Sequence, residues 1–377
     1  MIELVSAVPA LKLFRRFGFP RMLPINLTIG LTNRCNSRCK TCRVYDRPVP
    51  ELGLAELSAV FRSLGRRPYW MTFSGGEPFL REDIVEICES AYLSCRPAIM
   101  NIASNGLLSD VIPERVARIA ERAPGAAVIV NLSLDEIGER HDEIRGVRGN
   151  FARTLKTFER LKAIDLPNLT VGIHTVISKF NVGRFPEVCD DLTALGPDSY
   201  IAEIAEERQE LGTLGLDITP SEADYAAAVD HLVRRTGEMP FDGMAGIARA
   251  FRTIYYQLAA RVLREKRQAV PCFAGYASAQ IAPDGEVWAC CVKAESMGNL
   301  RDAGYDFGKI WFSDRAEALR KPIRDGECYC PLANAGYTNM LLSTPTLAAV
   351  LTRLAVKRLK KPFPRTPRRK KQDADKP

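Results

Sequence analysis

Histidine is scarce in this chain. Among 377 residues there are three, His141, His174 and His231, all far downstream of the first cysteine-rich loop, so nothing nearby closes a structural zinc site. Long apolar runs are missing too: none reaches the roughly 18 residues of a membrane-spanning helix. A secretory signal is not expected, because Glu3 precedes the first apolar stretch while Lys12, Arg15 and Arg16 follow it, the reverse of the export order. The eleven cysteines are therefore expected in a reducing, cytoplasmic setting, as metal ligands or buried thiols, not as a disulfide framework. The body also lacks net charge. Ten Lys or Arg and two Asp between Lys357 and Pro377 give +8, the total for the whole chain, so residues 1–356 sum to zero. A basic tail on a neutral body does not mark a nucleic-acid-binding fold, and no specific nucleic acid is expected as a partner. The length and a hydrophobic content of 46% suit a globular chain with one barrel-sized domain and a smaller one.

What the chain does hold is a cysteine loop. The apolar run Ile25 to Leu31 reads as a buried strand, and Cys35, Cys39 and Cys42 follow it with C-x3-C-x2-C spacing. Three soft thiolates on one loop can converge on a metal. Four ligands usually close a zinc site, whereas three cysteines leave one iron of a 4Fe-4S cluster open. Downstream, Ser74-Gly75-Gly76-Glu77-Pro78 forms a turn at a strand end, where glycines permit close backbone approach to a ligand.

The cysteine spacing followed by Gly-Gly-Glu-Pro resembles the radical S-adenosylmethionine (radical SAM) superfamily. The resemblance implies that Cys35, Cys39 and Cys42 hold a catalytic 4Fe-4S cluster whose open iron chelates S-adenosyl-L-methionine. It also implies reductive cleavage to methionine and a 5'-deoxyadenosyl radical that abstracts hydrogen from a substrate. Ser74, Gly75, Gly76 and Glu77 would then bind or position the cofactor.

From Pro24 onward, strands alternate with helices. Strands are expected at 25–31, 69–74, 98–104, 126–134, 169–177 and 199–204, with helices near 52–64, 81–95, 110–123, 150–164 and 183–195. Six such units imply an α/β fold with a parallel sheet and outer helices, and the family's partial (β/α)6 TIM-type barrel agrees. Chemistry in such barrels collects at the carboxyl ends of strands. By resemblance, Ser104 and Asn105 after the third strand and Ser133 and Asp135 after the fourth contact the cofactor. Glu136 stands where the family's S-L-D-G stretch has glycine, which puts the local turn in doubt. Arg145 resembles the arginine that pairs with the cofactor carboxylate, a task suited to a guanidinium fork; Arg148 competes with it. His174, mid-strand, reads as a core histidine.

A helical bridge is expected over 211–270, with Tyr255 and Tyr256 as packing residues. The second cysteine region, 271–335, contains Pro283-Asp284-Gly285, a hairpin turn between two apolar runs, with Cys272 before it, Cys290 and Cys291 after it, and then Met297-Gly298-Asn299-Leu300, a helix near 309–320, Cys328 and Cys330. This order resembles the SPASM/twitch extension, a small α+β domain that holds auxiliary iron-sulfur clusters. Five cysteines suit one auxiliary 4Fe-4S cluster, fewer than a full SPASM module carries. Adjacent residues of an extended segment face opposite ways, so Cys290 and Cys291 compete for one place beside Cys272, Cys328 and Cys330, and the resemblance favours Cys290. Cys88, Cys95 and Cys189 lie in helices and read as small buried hydrophobes.

The expected organisation is an N-terminal segment 1–21, a barrel 22–210, the bridge, the auxiliary domain, a C-terminal amphipathic-helix region 336–361 in which Thr344-Pro345 offers an N-cap and N1 proline, and a disordered basic tail 362–377. The leading expectation is a radical SAM oxidoreductase or maturase acting on a peptide or small molecule and served by a reducing electron donor. The peptide class rests on the resemblance, and residues 1–21 resemble no peptide-binding winged-helix domain. Within the enzyme class the alternative acts on a lipid or small metabolite, held at the inner membrane face by peripheral contact through the basic helix. A reading from another class is a binding protein whose metal sites are structural and whose tail is the functional part.

Overall fold

The computed structural model describes residues 2–238 and 243–359; the tail 362–377 lies outside them. Helix α1 (Ile2–Phe17) comes first. A run of strand-helix units follows: β1 (Asn26–Thr32), α2 (Leu54–Leu64), β2 (Trp70–Gly75), α3 (Ile84–Cys95), β3 (Ile99–Ser104), α4 (Ile112–Arg122) and β4 (Ala127–Ser133). The series closes with α5 (Gly138–Arg145), α6 (Asn150–Lys162), β5 (Leu169–Ile177), α7 (Phe185–Ala194) and β6 (Ser199–Ile204). Beyond it lie α8 (Glu222–Glu238), α9 (Gly243–Glu265), β7 (Ser278–Ile281), β8 (Glu286–Trp288), β9 (Ser296–Asn299), α10 (Phe307–Trp311), α11 (Asp314–Asp325), α12 (Ala333–Leu342) and α13 (Thr344–Leu359).

All strands belong to one sheet, in the order β6-β5-β4-β3-β2-β1-β7-β8-β9. The first six pair in parallel, giving the α/β partial barrel, and their carboxyl ends share one edge. The hairpin β7–β8 does not stand apart: β7 runs parallel to β1 in the register Asn26↔Ser278. The Pro283 turn packs so close to β1 that a Cβ on Gly30 would lie 2.9 Å from Pro283 Cδ.

The strands alternate. Leu27, Ile29, Met71, Phe73, Met100, Ile102, Val128 and Val130 face the helices within one large core. Helix α2 buries Leu57, Val60, Phe61 and Leu64 against it, each such side chain contributing roughly 1.5–3 kcal/mol. The intervening positions carry a polar row: Asn26, Thr28, Thr72, Asn101 and Asn131 lie on the opposite, inner face, beside Trp70 and Ile129. Parallel strands buried equally on both faces read as continuous apolar runs; this one-sided polarity indicates a barrel interior built to meet polar groups or water.

Several elements depart from the sequence reading. The helix expected near 309–320 is two, because Ser313 caps a new start, its Oγ accepting from Ala316 N. Residues 1–21 contain α1, whose inner side, Ala7, Leu11 and Phe14, packs on Phe273 and Tyr276. Helix α13 is capped by Ser343, which accepts from Thr346 N at 3.4 Å, not by Thr344. Cys88 and Cys95 are buried in the main core and Cys189 in a second core. Tyr255 and Tyr256 are fully buried too, Tyr255 Oη donating to Pro331 O at 2.8 Å.

Candidate active site and metal centres

The loop after β1 carries Cys35, Cys39 and Cys42, and three neighbours hold it. From β2, Gly76 N donates to Thr32 O at 2.6 Å and Glu77 N to Arg34 O at 2.9 Å. A Cβ on Gly75 would stand 2.3 Å from Thr32 O, and one on Gly76 2.2 Å from Arg34 O. The two glycines are thus demanded by the chain itself, where the sequence pointed to close approach by a ligand. From α5, Arg38 N donates to Arg145 O and Lys40 N to Ile144 O. The third neighbour is Leu211, whose carbonyl accepts from Arg43 N at 2.9 Å.

Burial raises the pKa of all three thiols. Cys42 is pushed up to about 12, with Cys39 and Cys35 adding to the effect of burial. Donors are nonetheless aimed at two of the sulfurs: Asn105 Nδ2 lies 3.7 Å from Cys35 Sγ, and Arg145 Nη1 lies 3.7 Å from Cys39 Sγ. Clustered thiols that are costly to ionise alone, with N–H groups directed at sulfur, fit an iron-sulfur cluster, whose iron supplies the compensating charge.

Every expected cofactor contact falls on this edge. Ser74 is the last residue but one of β2, half-buried. The Glu77 carboxylate is fully buried and accepts from Phe79 N, Ser104 Oγ and Asn105 N at 2.8–3.1 Å. Burial lifts it to about 7 against those three donors. Three of its acceptor sites tie the ends of β2 and β3 together, and Oε2 accepts only from Asn105 N. Ser133 lies half-buried in register with His174. Asp135 is buried, its Oδ1 accepting from Val176 N at 2.8 Å and its Oδ2 lying 2.7 Å from Arg145 Nε. Of the competing arginines, Arg145 is buried at the cysteine loop and Arg148 is exposed. Glu136, the non-glycine of that turn, is buried and pairs with Arg184 at 3.1 Å.

The sequence reading missed two groups. His141 holds the Asp135 turn: its Nδ1 accepts from Asp135 N at 3.1 Å while Nε2 meets Asn150 Oδ1 at 3.0 Å. The other lies at the β5 and β6 ends. There His174 Nε2 stands 3.5 Å from Glu203 Oε1, and burial pushes Glu206 up to about 7, with Arg208 opposing. His174 is half-buried on the inner face, in register with Ile201 of β6. The period-two polar residues of the strands were the available signal.

The second cysteine set gathers where the β7–β8 hairpin meets the start of α12. Cys272 is within electrostatic reach of Cys290 and Cys328, and Cys330 within reach of Cys272 and Cys290. Cys291 turns elsewhere: buried beside Leu332 and Ala335, its sulfur lies 3.7 Å from Arg208 Nη1. Thiols gathered around Cys272 and Cys290 in this way are soft donors that fit an iron-sulfur cluster.

The same division appears in comparisons with known proteins. The radical SAM superfamily model matches residues 29–192 and the SPASM model, an iron-sulfur cluster-binding domain, matches residues 272–331. AdoMet-dependent heme synthase of Methanosarcina barkeri is 28% identical over 323 residues, 82% of this chain and 86% of that protein. Mycofactocin maturase MftC of Mycolicibacterium smegmatis is 24% identical over 338 residues, 86% of this chain and 80% of that protein. Another relative matches over 43% of this chain, which there spans only 39% of the relative's length. Among solved structures, Streptococcus suis SuiB bound to precursor peptide SuiA superposes with a TM-score of 0.59 at 16% identity, covering 85% of this chain and 72% of that one, a likeness of fold.

Proposed function

Because the chain belongs to the radical SAM superfamily and carries a SPASM iron-sulfur cluster-binding domain, we propose that it is a maturase that oxidises a peptide or natural-product substrate at the barrel's carboxyl edge. The observation that carries this reading is the pairing of two separate thiol sets on one continuous sheet. Residues 22–210 would form the catalytic barrel and 271–335 the auxiliary unit. Cys35, Cys39 and Cys42 would hold the catalytic 4Fe-4S cluster, and Cys272, Cys290, Cys328 and Cys330 one auxiliary cluster. Bound there, the cluster and S-adenosylmethionine supply a 5'-deoxyadenosyl radical for hydrogen abstraction.

The chain's own residues do the rest. Glu77 locks the turn that presents Ser74, Gly75 and Gly76, while Ser104, Asn105, Ser133 and Asp135 line the edge where cofactor would sit. Arg145 keeps a fixed cation beside the cysteine loop. The inner-face polar row and the His174–Glu203 pair would orient substrate, and the auxiliary site suits an electron acceptor, which favours net oxidation. The maturase among the relatives supports this class of substrate.

The decisive experiment is anaerobic: iron and sulfide per chain, and 5'-deoxyadenosine formation, in the wild type and in a Cys35/Cys39/Cys42→Ala variant. About eight irons falling to about four, with cleavage abolished, supports the reading. Zinc in place of iron, or cleavage that survives, overturns it.

A second reading keeps this chemistry and sets it at a membrane surface, acting on a lipid or small metabolite. The +8 charge confined to residues 357–377 favours it. No described helix is long and apolar enough to cross a membrane, so contact would be peripheral. Deleting 345–377 and following the protein out of the membrane fraction tests it.

A further inference from the structure

The outer side of α1 and the segment after it present an apolar surface set among cations. Leu13 is 47% exposed, Phe17 71% and Phe19 74%. Leu13 and Phe17 are four residues apart and so share one helix face. Arg16 and Arg21 are exposed between and beside them, Arg16 over the Phe17 ring at 5.8 Å. The opposite side of α1 is held firmly: Leu11 and Phe14 are buried, and Arg15 donates to Cys272 O at 2.8 Å and to Arg324 O at 2.9 Å. The outer surface is therefore fixed to the auxiliary unit and is not a fraying end.

An apolar groove of ≈ 570 Å³ runs alongside, between α1, α9 and the start of α13, with Lys12, Arg15 and Arg261 at its rim and Leu258, Val270 and Phe273 among its walls. Lys12 Nζ bridges the two sides by donating to Thr344 Oγ1 at 2.8 Å. The far side of the groove is the start of α13, with Thr344, Pro345 and Ala349.

We propose that this surface seats on an anionic lipid bilayer, with Leu13, Phe17 and Phe19 entering the boundary between headgroups and acyl chains and Arg16 and Arg21 against the headgroups. Exposed aromatics cost free energy in water and are favoured at a bilayer interface, where the cations gain from anionic lipid. The charge pattern decides the occupant. A second copy of this chain would bring the same cations face to face, whereas anionic lipid complements all of them. The proposal deepens the membrane-surface reading but moves the contact from the tail to α1, and it stands whatever the substrate proves to be.

The test uses the full chain, anaerobically purified, in flotation with phosphatidylglycerol or phosphatidylcholine vesicles, together with amide hydrogen exchange. Binding to phosphatidylglycerol, weak binding to phosphatidylcholine and slowed exchange over residues 7–21 are expected. Arg16→Ala/Arg21→Ala should weaken binding about 25-fold, from roughly fivefold per cation. Phe17→Ser/Phe19→Ser should remove the exchange protection while leaving the melting temperature and cluster content unchanged. The proposal is overturned by flotation without protection at 7–21, by binding that depends on residues 360–377 alone, or by a dimer that the Phe17→Ser/Phe19→Ser change dissociates. Cleavage that survives in the cysteine variant, which overturns the radical SAM reading, would leave this proposal standing.

Discussion

Arg145 Nε stands 2.7 Å from Asp135 Oδ2, and both side chains are almost wholly buried. The same guanidinium reaches Cys39 Sγ at 3.7 Å through Nη1, so one cation joins the end of β4 to the cysteine loop.

Removing it should cost both stability and metal. Arg145→Ala leaves a buried carboxylate unpaired, a loss of roughly 3–5 kcal/mol. Arg145→Lys keeps the charge but cannot direct two donors from one rigid plane, so it should fold yet load the catalytic cluster poorly. Urea midpoints together with iron content after anaerobic reconstitution read out both effects. An Arg145→Ala chain with unchanged midpoint and full iron would refute the linkage.

His141 makes the Asp135 turn sensitive to acid. Burial, with Arg145 beside it, lowers the imidazole to about 4, below its ordinary value near 6.5. Between those values the unfolded chain binds the extra proton, so stability rises with pH across this window. It is fully present above about 6.5 and lost as pH falls toward 4, with a loss on the order of 1–2 kcal/mol by about pH 5. Protonation also removes the acceptor that Nδ1 offers Asp135 N. His141→Gln, which has no charge to gain, should flatten the pH dependence of the urea midpoint in the metal-free chain. An unaltered slope would show that another group titrates.

Gly76 offers a steric test. Its added Cβ would lie 2.2 Å from Arg34 O, and backbone cannot swing aside as a side-chain tip can. Gly76→Ala should displace the cysteine loop, lower stability by on the order of 2–4 kcal/mol and lose the catalytic irons before the auxiliary ones. Gly183→Ala makes a control, because no atom lies within 4 Å of the new Cβ and its backbone is outside the left-handed region.

The six barrel strands were legible because their β-branched, apolar runs end at turn residues, and the spacing of the cysteine loop was visible without a structure. Helix α5 was not, because GERHDEIR has no apolar stripe; it is held by Arg38 N and Lys40 N of the cysteine loop, a tertiary cause that local pattern does not carry. The joining of β7 to β1 is equally non-local, linking Asn26 to Ser278. Glu77 was readable as part of a turn. That its carboxylate would accept from Phe79, Ser104 and Asn105 depends on where β3 ends in space, and no residue near Glu77 in sequence records it.

Cys290 and Cys291 are adjacent in sequence yet differently placed, and exchanging their fates is the sharpest check on the auxiliary site. Cys290 adjoins Cys272 and Cys330 electrostatically. Cys291 Sγ accepts from Arg208, whose carboxylate neighbour Glu210 lies 3.8 Å away and in turn accepts from Gln280 Nε2 of β7. One thiol faces the other cysteines, and the other anchors the loop after β6 to the hairpin. Cys290→Ala should therefore lower iron from about eight to about four per chain, with the catalytic cluster's spectrum retained. Cys291→Ala should keep all the iron while losing stability by roughly 1–2 kcal/mol, the cost of stranding the half-buried Arg208 donor. Iron lost from the Cys291 variant and kept in the Cys290 variant would reverse the assignment and make Arg208 a neighbour of the auxiliary cluster.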